Sequence, residues 1–113
     1  MAKWLLIIGG NCNDPLREVE FNEWASNIHV PDVLASPSFV SAKRFRQVFI
    51  RGTEYEKNNP EVLKAKYLAT YEIESDDIDL VIKTLNARLE LRDKSRTTDL
   101  LEVVVRGVYK QTE

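Results

Sequence analysis

Four segments of the chain have the length and the apolar pattern of β-strands. The first, residues 3–9, is apolar throughout, as expected of a strand that is covered on both faces. Residues 66–73 alternate apolar and polar positions, so one face of that strand is apolar. Residues 39–50 and 100–109 have mixed faces. In residues 39–50 this mixture suits a strand whose middle lines a pocket or an interface.

Two helical segments follow the first and third strands. Asp14 is typical of a helix N-cap and Pro15 of the first helical turn, so we expect the first helix to begin there. Its apolar stripe runs through Trp24, and we expect Pro31 to end or kink it. The second helix is expected to begin at residues 75–77. The apolar stripe of this helix consists of Ile78, Val81, Ile82, Leu85 and Leu89.

The resulting order of elements, β-α-β-β-α-β, predicts a ferredoxin-like α+β sandwich with both helices on one face of a four-stranded antiparallel sheet. We interpret residues 1–113 as a single domain, because this length supports one compact core. The polar connection 51–65 could form one helical turn at 60–63. The uncovered sheet face predicts a homodimer. Candidates for that face are Trp4, Ile8, Phe45, Tyr67 and Val103.

Composition and charge exclude several classes of partner. A net charge of -2 without a basic block argues against a nucleic-acid partner. The single cysteine, Cys12, cannot form an internal disulfide, and no Cys or His cluster has zinc spacing. The apolar run 4–8 is too short for a membrane span. We therefore expect a cytoplasmic protein that binds no membrane, no metal and no cofactor.

Residues 21–34, Phe-Asn-Glu-Trp-Ala-Ser-Asn-Ile-His-Val-Pro-Asp-Val-Leu, are followed by Pro-Ser-Phe-Val at 37–40. With Arg44 and residues 66–73, this pattern resembles the EthD-like branch of the dimeric α+β barrel superfamily. There the comparable sequence is Phe-x-x-Trp-Tyr-x-x-His-x-Pro-(Asp/Glu), followed by a Pro-Gly-Phe turn into the second strand. The chain departs from it at Ala25 and Ser38, where the branch usually has Tyr and Gly.

The resemblance implies a dimer whose two sheets pack face to face. It also implies a cleft between helices and sheet in each subunit, into which His29 points. Ala25 would leave that cleft larger and without one phenol. The superfamily includes cofactor-free monooxygenases, muconolactone-type isomerases, polyketide cyclases and haem-degrading enzymes, so the resemblance implies a fold more directly than a reaction.

His29 is the only histidine and therefore the natural candidate for acid or base chemistry near neutral pH. The alternative is a helix cap, because a histidine in the last turn can bond free carbonyls. Asp32, three positions later, could orient the imidazole or cap the following turn. Tyr67 could donate a proton or polarise a carbonyl, although buried tyrosines often make only a structural hydrogen bond.

Five further residues are candidates for substrate binding. Trp24 and, on the sheet opposite, Phe45 and Tyr71 could form aromatic walls, whereas core packing is the simpler role for such residues. Arg44 could hold a carboxylate or enolate through two hydrogen bonds, or pair with a surface acid. Asn11, at the end of the first strand, could donate a hydrogen bond into the cleft or simply form a turn.

These residues lead to one principal hypothesis and two alternatives. The principal hypothesis is a cofactor-independent enzyme in which His29 moves a proton on an aromatic, lactone or polyketide-like compound, as in isomerisation, cyclisation or elimination. The first alternative is a cofactor-free monooxygenase. The second is a non-catalytic, ligand-binding or stress-related dimer.

Overall fold

The structure of the protein is a computed structural model that describes residues 1–48 and 64–113. The helical turn expected at 60–63 and the last two residues of the predicted strand 39–50 lie outside the described residues. None of the described helices is long and apolar enough to cross a membrane. The elements are β1 (Lys3–Cys12), α1 (Glu18–Trp24), α2 (Val30–Leu34), β2 (Phe39–Arg46), β3 (Tyr67–Glu74), α3 (Ile78–Leu91) and β4 (Leu101–Lys110).

The four strands form one antiparallel sheet in the order β2-β3-β1-β4. β1 pairs with β3 and β4, and β2 pairs with β3, so β2 and β4 are the sheet edges within the described residues. This order, with the helices after β1 and β3, confirms the predicted ferredoxin-like topology.

The helical region after β1 begins where the sequence predicts but does not end at Pro31. The Asp14 carboxylate accepts a hydrogen bond from the Leu16 backbone N–H, at 3.0 Å, in a short 3-10 turn that precedes α1. A π-helical segment, Ala25–His29, joins α1 to α2. Pro31 lies in the first turn of α2, where its missing N–H and fixed φ are tolerated. The chain therefore continues through Pro31 as a helix.

The helices cover the sheet through two apolar clusters. The larger cluster contains Tyr71 and Ile73 of β3, neither of which is exposed to solvent. Val81 and Leu85 of α3 are buried in the same cluster, so the apolar stripe predicted for this helix is confirmed. The smaller cluster joins the first helix to the sheet and contains Phe21, Trp24, Ala25, Tyr67 and Leu100.

The prediction of which residues form the uncovered sheet face is wrong for four of its five residues. Trp4 and Ile8 pack against the larger cluster, and Tyr67 is buried in the smaller one. Val103 lies opposite Gly10 on the same helix-covered face. A strand that is apolar throughout does not reveal which of its two faces meets the helices. By register, the other face carries Leu5, Ile7, Phe45, Leu68, Val105 and Tyr109, and dimerisation through it stays a prediction.

The start of β2 is irregular. Phe39 pairs with Ile73 and Ala42 with Tyr71, so the register shifts within this stretch and both residues face the helices. Strict alternation would place them on opposite faces. The shift brings the Phe39 ring against that of Tyr71, with centroids 5.9 Å apart and planes at 74°.

Ser38, immediately before β2, has a φ of 75°, in the left-handed region that favours glycine. The turn is fixed because the Ser38 carbonyl accepts a hydrogen bond from the Glu74 N–H at 3.0 Å. We expect Ser38→Gly to raise the free energy of unfolding by about 0.5–1 kcal/mol in urea denaturation. Ser41→Gly, inside β2, is the control and should lower it by a similar amount. Destabilisation by Ser38→Gly would contradict the assignment of strain.

Candidate active site

A small cleft lies between the first helical region and the helix-covered face of the sheet. Its volume is about 40 Å³, the space of a few water molecules. Five of the eight residues predicted for the site line it together: Trp24, His29, Arg44, Tyr67 and Tyr71. The rest of the wall is mainly apolar and includes Ile8, Phe21, Ala25, Val30, Ala69 and Leu101. The cleft can therefore accept an oxygen-bearing group of a substrate rather than a whole ring system.

The π-helical segment determines how His29 meets Trp24. The Val30 N–H bonds the Ala25 carbonyl, five residues earlier. The two aromatic rings stack with centroids 4.6 Å apart and planes at 18°. In the EthD-like pattern Trp and His are four positions apart, whereas here they are five apart, so this spacing is a third departure besides Ala25 and Ser38. The wider turn accommodates the extra residue and keeps the two side chains one above the other.

Arg92 controls the state of the His29 imidazole. Its Nη1 lies 3.0 Å from His29 Nδ1, and a guanidinium can only donate, so Nδ1 accepts and the ring proton is on Nε2. Burial, and then the positive charge of Arg92, lower the pKa of His29 to about 4, although the Asp32 carboxylate opposes this shift. At neutral pH His29 is therefore a neutral imidazole with a donor at Nε2, to which no described residue bonds.

Asp32 acts on arginines rather than directly on the imidazole. Its carboxylate binds Arg96 in a bidentate pair, with Arg96 Nη2 2.6 Å from Oδ1 and Nε 3.0 Å from Oδ2. Arg92 Nη1 is 3.7 Å from the same carboxylate. The hydrogen bond to Arg96 lowers the pKa of Asp32, which is ionised at neutral pH. Asp32 thus reaches His29 through Arg92. Neither Arg92 nor Arg96 is predicted from the sequence, because both lie in a charged segment after α3 that has the composition of an ordinary loop.

Arg44 is a partly buried cation at the cleft. Its Nη1 donates to Ser26 Oγ and its Nη2 to Asn22 Oδ1, both at 2.9 Å. Its guanidinium also lies 5.3 Å from the centre of the Tyr67 ring. Burial lowers the pKa of Arg44, and no carboxylate within residues 1–48 and 64–113 pairs with it. Among the described residues Arg44 therefore has only neutral hydrogen-bond partners, and none of the described carboxylates compensates its positive charge.

The two tyrosines of the cleft differ in their hydrogen bonding. The Tyr67 hydroxyl accepts from Asn22 Nδ2 at 3.1 Å and donates to Glu18 Oε2 at 3.3 Å. The Tyr71 hydroxyl is fully buried and has no hydrogen-bond partner in the described part of the chain. Burial raises the pKa of Tyr71 to about 12, against the effect of the Arg44 charge. Tyr67 is held in a network, whereas Tyr71 is a neutral donor with unused capacity.

Two predicted binding residues lie away from the cleft. Asn11 joins β1 to the start of β3, because its Nδ2 donates to the Lys64 carbonyl and its Oδ1 accepts from the Lys66 N–H. Phe45 is half exposed on the face away from the helices and borders a separate open groove, which Asn22, Arg44, Arg46 and Tyr67 also line. Neither lines the same cavity as His29. The described residues also contain no group of three or more His, Cys, Asp or Glu that could hold a metal ion.

Solved structures share this fold over nearly the whole chain. The chain is similar to a "putative monooxygenase" from Shewanella loihica PV-4, with 12% identity and a TM-score of 0.57 over 100% of this chain and 98% of the other. It is also similar to HapK from Hahella chejuensis, with 18% identity and a TM-score of 0.56 over 96% and 91% of the two chains.

A third similar structure is an EthD family protein from Bacillus halodurans C-125, with 15% identity and a TM-score of 0.52 over 95% and 97% of the two chains. No family model and no curated protein sequence matches the chain. The chain therefore has the ferredoxin-like α+β fold of these proteins, one of which is an EthD family protein.

Proposed function

We propose that the protein is a cofactor-independent small-molecule enzyme that stabilises an enolate or phenolate of an aromatic, lactone or polyketide-like compound. The observation that carries this proposal is the Tyr71 hydroxyl, which is buried in the wall of the cleft without a hydrogen-bond partner in the described chain. A buried polar group without a partner is costly, so its retention calls for an explanation, and a catalytic role is one. A substrate oxygen in the cleft would supply the missing acceptor.

The charges around the cleft favour an anionic oxygen. Arg44 contributes a positive charge that no described carboxylate compensates. The guanidinium of Arg92 is a second positive charge, beside His29. Asp32 offsets this charge only in part, because it is shared between Arg92 and Arg96. Fixed donors and cations in a cleft with little water stabilise charge that develops on a substrate oxygen.

His29 has a different role in this proposal from the acid or base role that its residue type suggests. With Nδ1 occupied by Arg92 and the proton on Nε2, the neutral ring donates a hydrogen bond to the substrate oxygen. The acidic proton of the substrate passes to hydroxide or to a buffer base of the solvent, because His29 Nδ1 is occupied by Arg92 and the Tyr71 phenol, with its pKa of about 12, keeps its own proton. The stabilised anion then takes a proton from the solvent at a different carbon in an isomerisation, adds through its carbon to a carbonyl of the same molecule in a cyclisation, or expels an anionic leaving group in an elimination.

Oxygen chemistry on the same anion is the second candidate, favoured by the name of the Shewanella loihica protein. An electron-rich enolate or phenolate can reduce O₂ itself. One oxygen atom replaces two substrate hydrogens as a carbonyl, and the other leaves with those hydrogens as water. Oxygen consumption during turnover separates this reaction from proton transfer.

The first experiment uses 4-nitrophenol, whose phenolate is coloured, as a probe of anion stabilisation. We expect binding to lower the pKa of the probe by about one unit or more, because an adjacent cation favours the ionised form. Arg44→Gln should remove most of this shift in a spectrophotometric titration. Arg46→Gln is the matched control, since Arg46 lies on the same strand but does not line the cleft.

Three results would each point elsewhere. Binding without a lowered probe pKa would contradict anion stabilisation and support the non-catalytic ligand-binding alternative. Equal loss of the shift in both arginine variants would indicate a general charge effect rather than a site at Arg44. Absence of binding to the folded wild-type protein would remove the cleft as the proposed site.

A further inference from the structure

A second and larger cavity also has His29 in its lining. Its volume is about 340 Å³, which is within the range of small-molecule sites in proteins. It opens between α3 and the edge strand β4, on the helix-covered face of the sheet. The interior is apolar and is formed by Leu6, Ile8, Val33, Ile82, Leu85 and Leu89. An apolar interior of this size is suited to a ring or a short hydrocarbon chain.

Two exposed polar residues border this cavity from opposite sides. Asn86 is provided by α3 and Arg106 by β4, and no described residue forms a hydrogen bond or an ion pair with either of them. Arg106 pairs in register with Ile8, so it lies on the helix-covered face and not on the face predicted to dimerise. A cation with no carboxylate partner beside an apolar cavity is complementary to an acidic, largely apolar ligand.

We infer that this cavity binds the apolar body of a carboxylate-bearing substrate, with the carboxylate held by Arg106 and Asn86. The inference rests on the proposed function, because it assigns the remainder of the same substrate. His29 and Ile8 line both cavities, so the two cavities adjoin at these residues and a molecule in the larger one lies beside His29. The small cleft receives the reacting oxygen, and the large cavity receives the part of the substrate that the cleft is too small to hold.

Two probes that differ only in charge test this inference. They are 3-phenylpropanoate and its neutral amide, and their dissociation constants are measured by NMR titration of the ¹⁵N-labelled protein. We expect the carboxylate to bind about tenfold more tightly than the amide, in keeping with a hydrogen bond between charged groups. Arg106→Gln should abolish this difference, and the side-chain amide signals of Asn86 should shift with the carboxylate.

Control variants separate the site from general electrostatics. Lys110→Gln removes a positive charge from the same face of β4 but does not line the cavity, and should keep the tenfold preference. Asn86→Trp should block the cavity and weaken both probes, whereas Lys83→Trp, also exposed on α3, should weaken neither. Equal affinity of the two probes for wild type, no binding of either, or equal effects of Lys110→Gln and Arg106→Gln would overturn the inference.

The same titration distinguishes this inference from the proposed function. Arg44→Gln should leave the ratio of carboxylate to amide affinity unchanged, because Arg44 does not line the larger cavity. A retained ratio together with an unshifted 4-nitrophenol pKa would sustain the carboxylate site and reject anion stabilisation. A shifted 4-nitrophenol pKa without a preference for the carboxylate probe would sustain anion stabilisation and reject the carboxylate site.

Discussion

Lowering the pH from 7.5 to 5.0 is expected to decrease the free energy of unfolding by about 2 kcal/mol through His29 alone. The native protein holds this imidazole neutral, with a pKa of about 4, whereas the unfolded chain titrates near the ordinary value of 6.5. Between these values the unfolded state binds more protons, so stability rises with pH. The contribution is complete above pH 6.5 and is lost progressively as the pH falls towards 4.

Urea denaturation at the two pH values, for wild type and His29→Gln, measures this contribution. The variant should lose much less stability at pH 5.0, because it has no imidazole to protonate in the unfolded state. The carboxylates with lowered pKa values, Glu18, Asp32 and Asp93, weaken the fold mainly below this window, since the ordinary pKa values of their side chains are 3.8 to 4.5. The difference between the two proteins, and not the stability of either, is the informative quantity.

The ring state of His29 provides an independent readout. Nitrogen NMR at pH 7 should show a neutral imidazole protonated at Nε2, because Arg92 occupies Nδ1. Arg92→Gln should raise the pKa of His29, since it removes the nearest of the charges that oppose protonation. A titration midpoint near 6.5 in the wild-type protein, or equal pH sensitivity in His29→Gln, would contradict the proposed environment.

The fold was predictable from the sequence because its signals are local and repeated. The apolar residues of α3 recur with the period of a helix, so they predict both the helix and its buried face. Asp14 and Pro15 identify the start of the first helical region. Which face of the sheet the helices cover could not be predicted from local sequence. Trp4 and Ile8 share one face of a strand that is apolar on both faces. Only the packing of the whole sheet shows that this face meets the helices.

The candidate site was predictable in part for the same reason. His29 and Trp24 lie on one helical region, so their proximity follows from short-range geometry once the π-helical turn is known. Arg92 and Arg96 reach the site from sixty or more residues away along the chain, and only tertiary structure brings them to His29 and Asp32. Periodicity describes which residues share a face, and it carries no information about such distant partners.

Replacing Tyr71 by phenylalanine is expected to make the protein more stable and a weaker binder at once. The hydroxyl is fully buried without a partner, so its removal should raise the free energy of unfolding by about 1–2 kcal/mol. If the same hydroxyl donates to the substrate oxygen, the affinity for 4-nitrophenolate should fall about tenfold. Thermal or urea denaturation measures the first effect, and the spectrophotometric titration measures the second.

Tyr67→Phe is the matched control, because it removes the same atom from a neighbouring site on the same face of β3. The Tyr67 hydroxyl bonds both Asn22 and Glu18, so its loss should lower the free energy of unfolding by about 1 kcal/mol. Opposite signs of the two stability changes, together with weaker 4-nitrophenolate binding by Tyr71→Phe, would identify Tyr71 as a group kept for binding at a cost to the fold. Destabilisation by both substitutions would show that the Tyr71 hydroxyl is already satisfied, and it would remove the observation on which the proposed function depends.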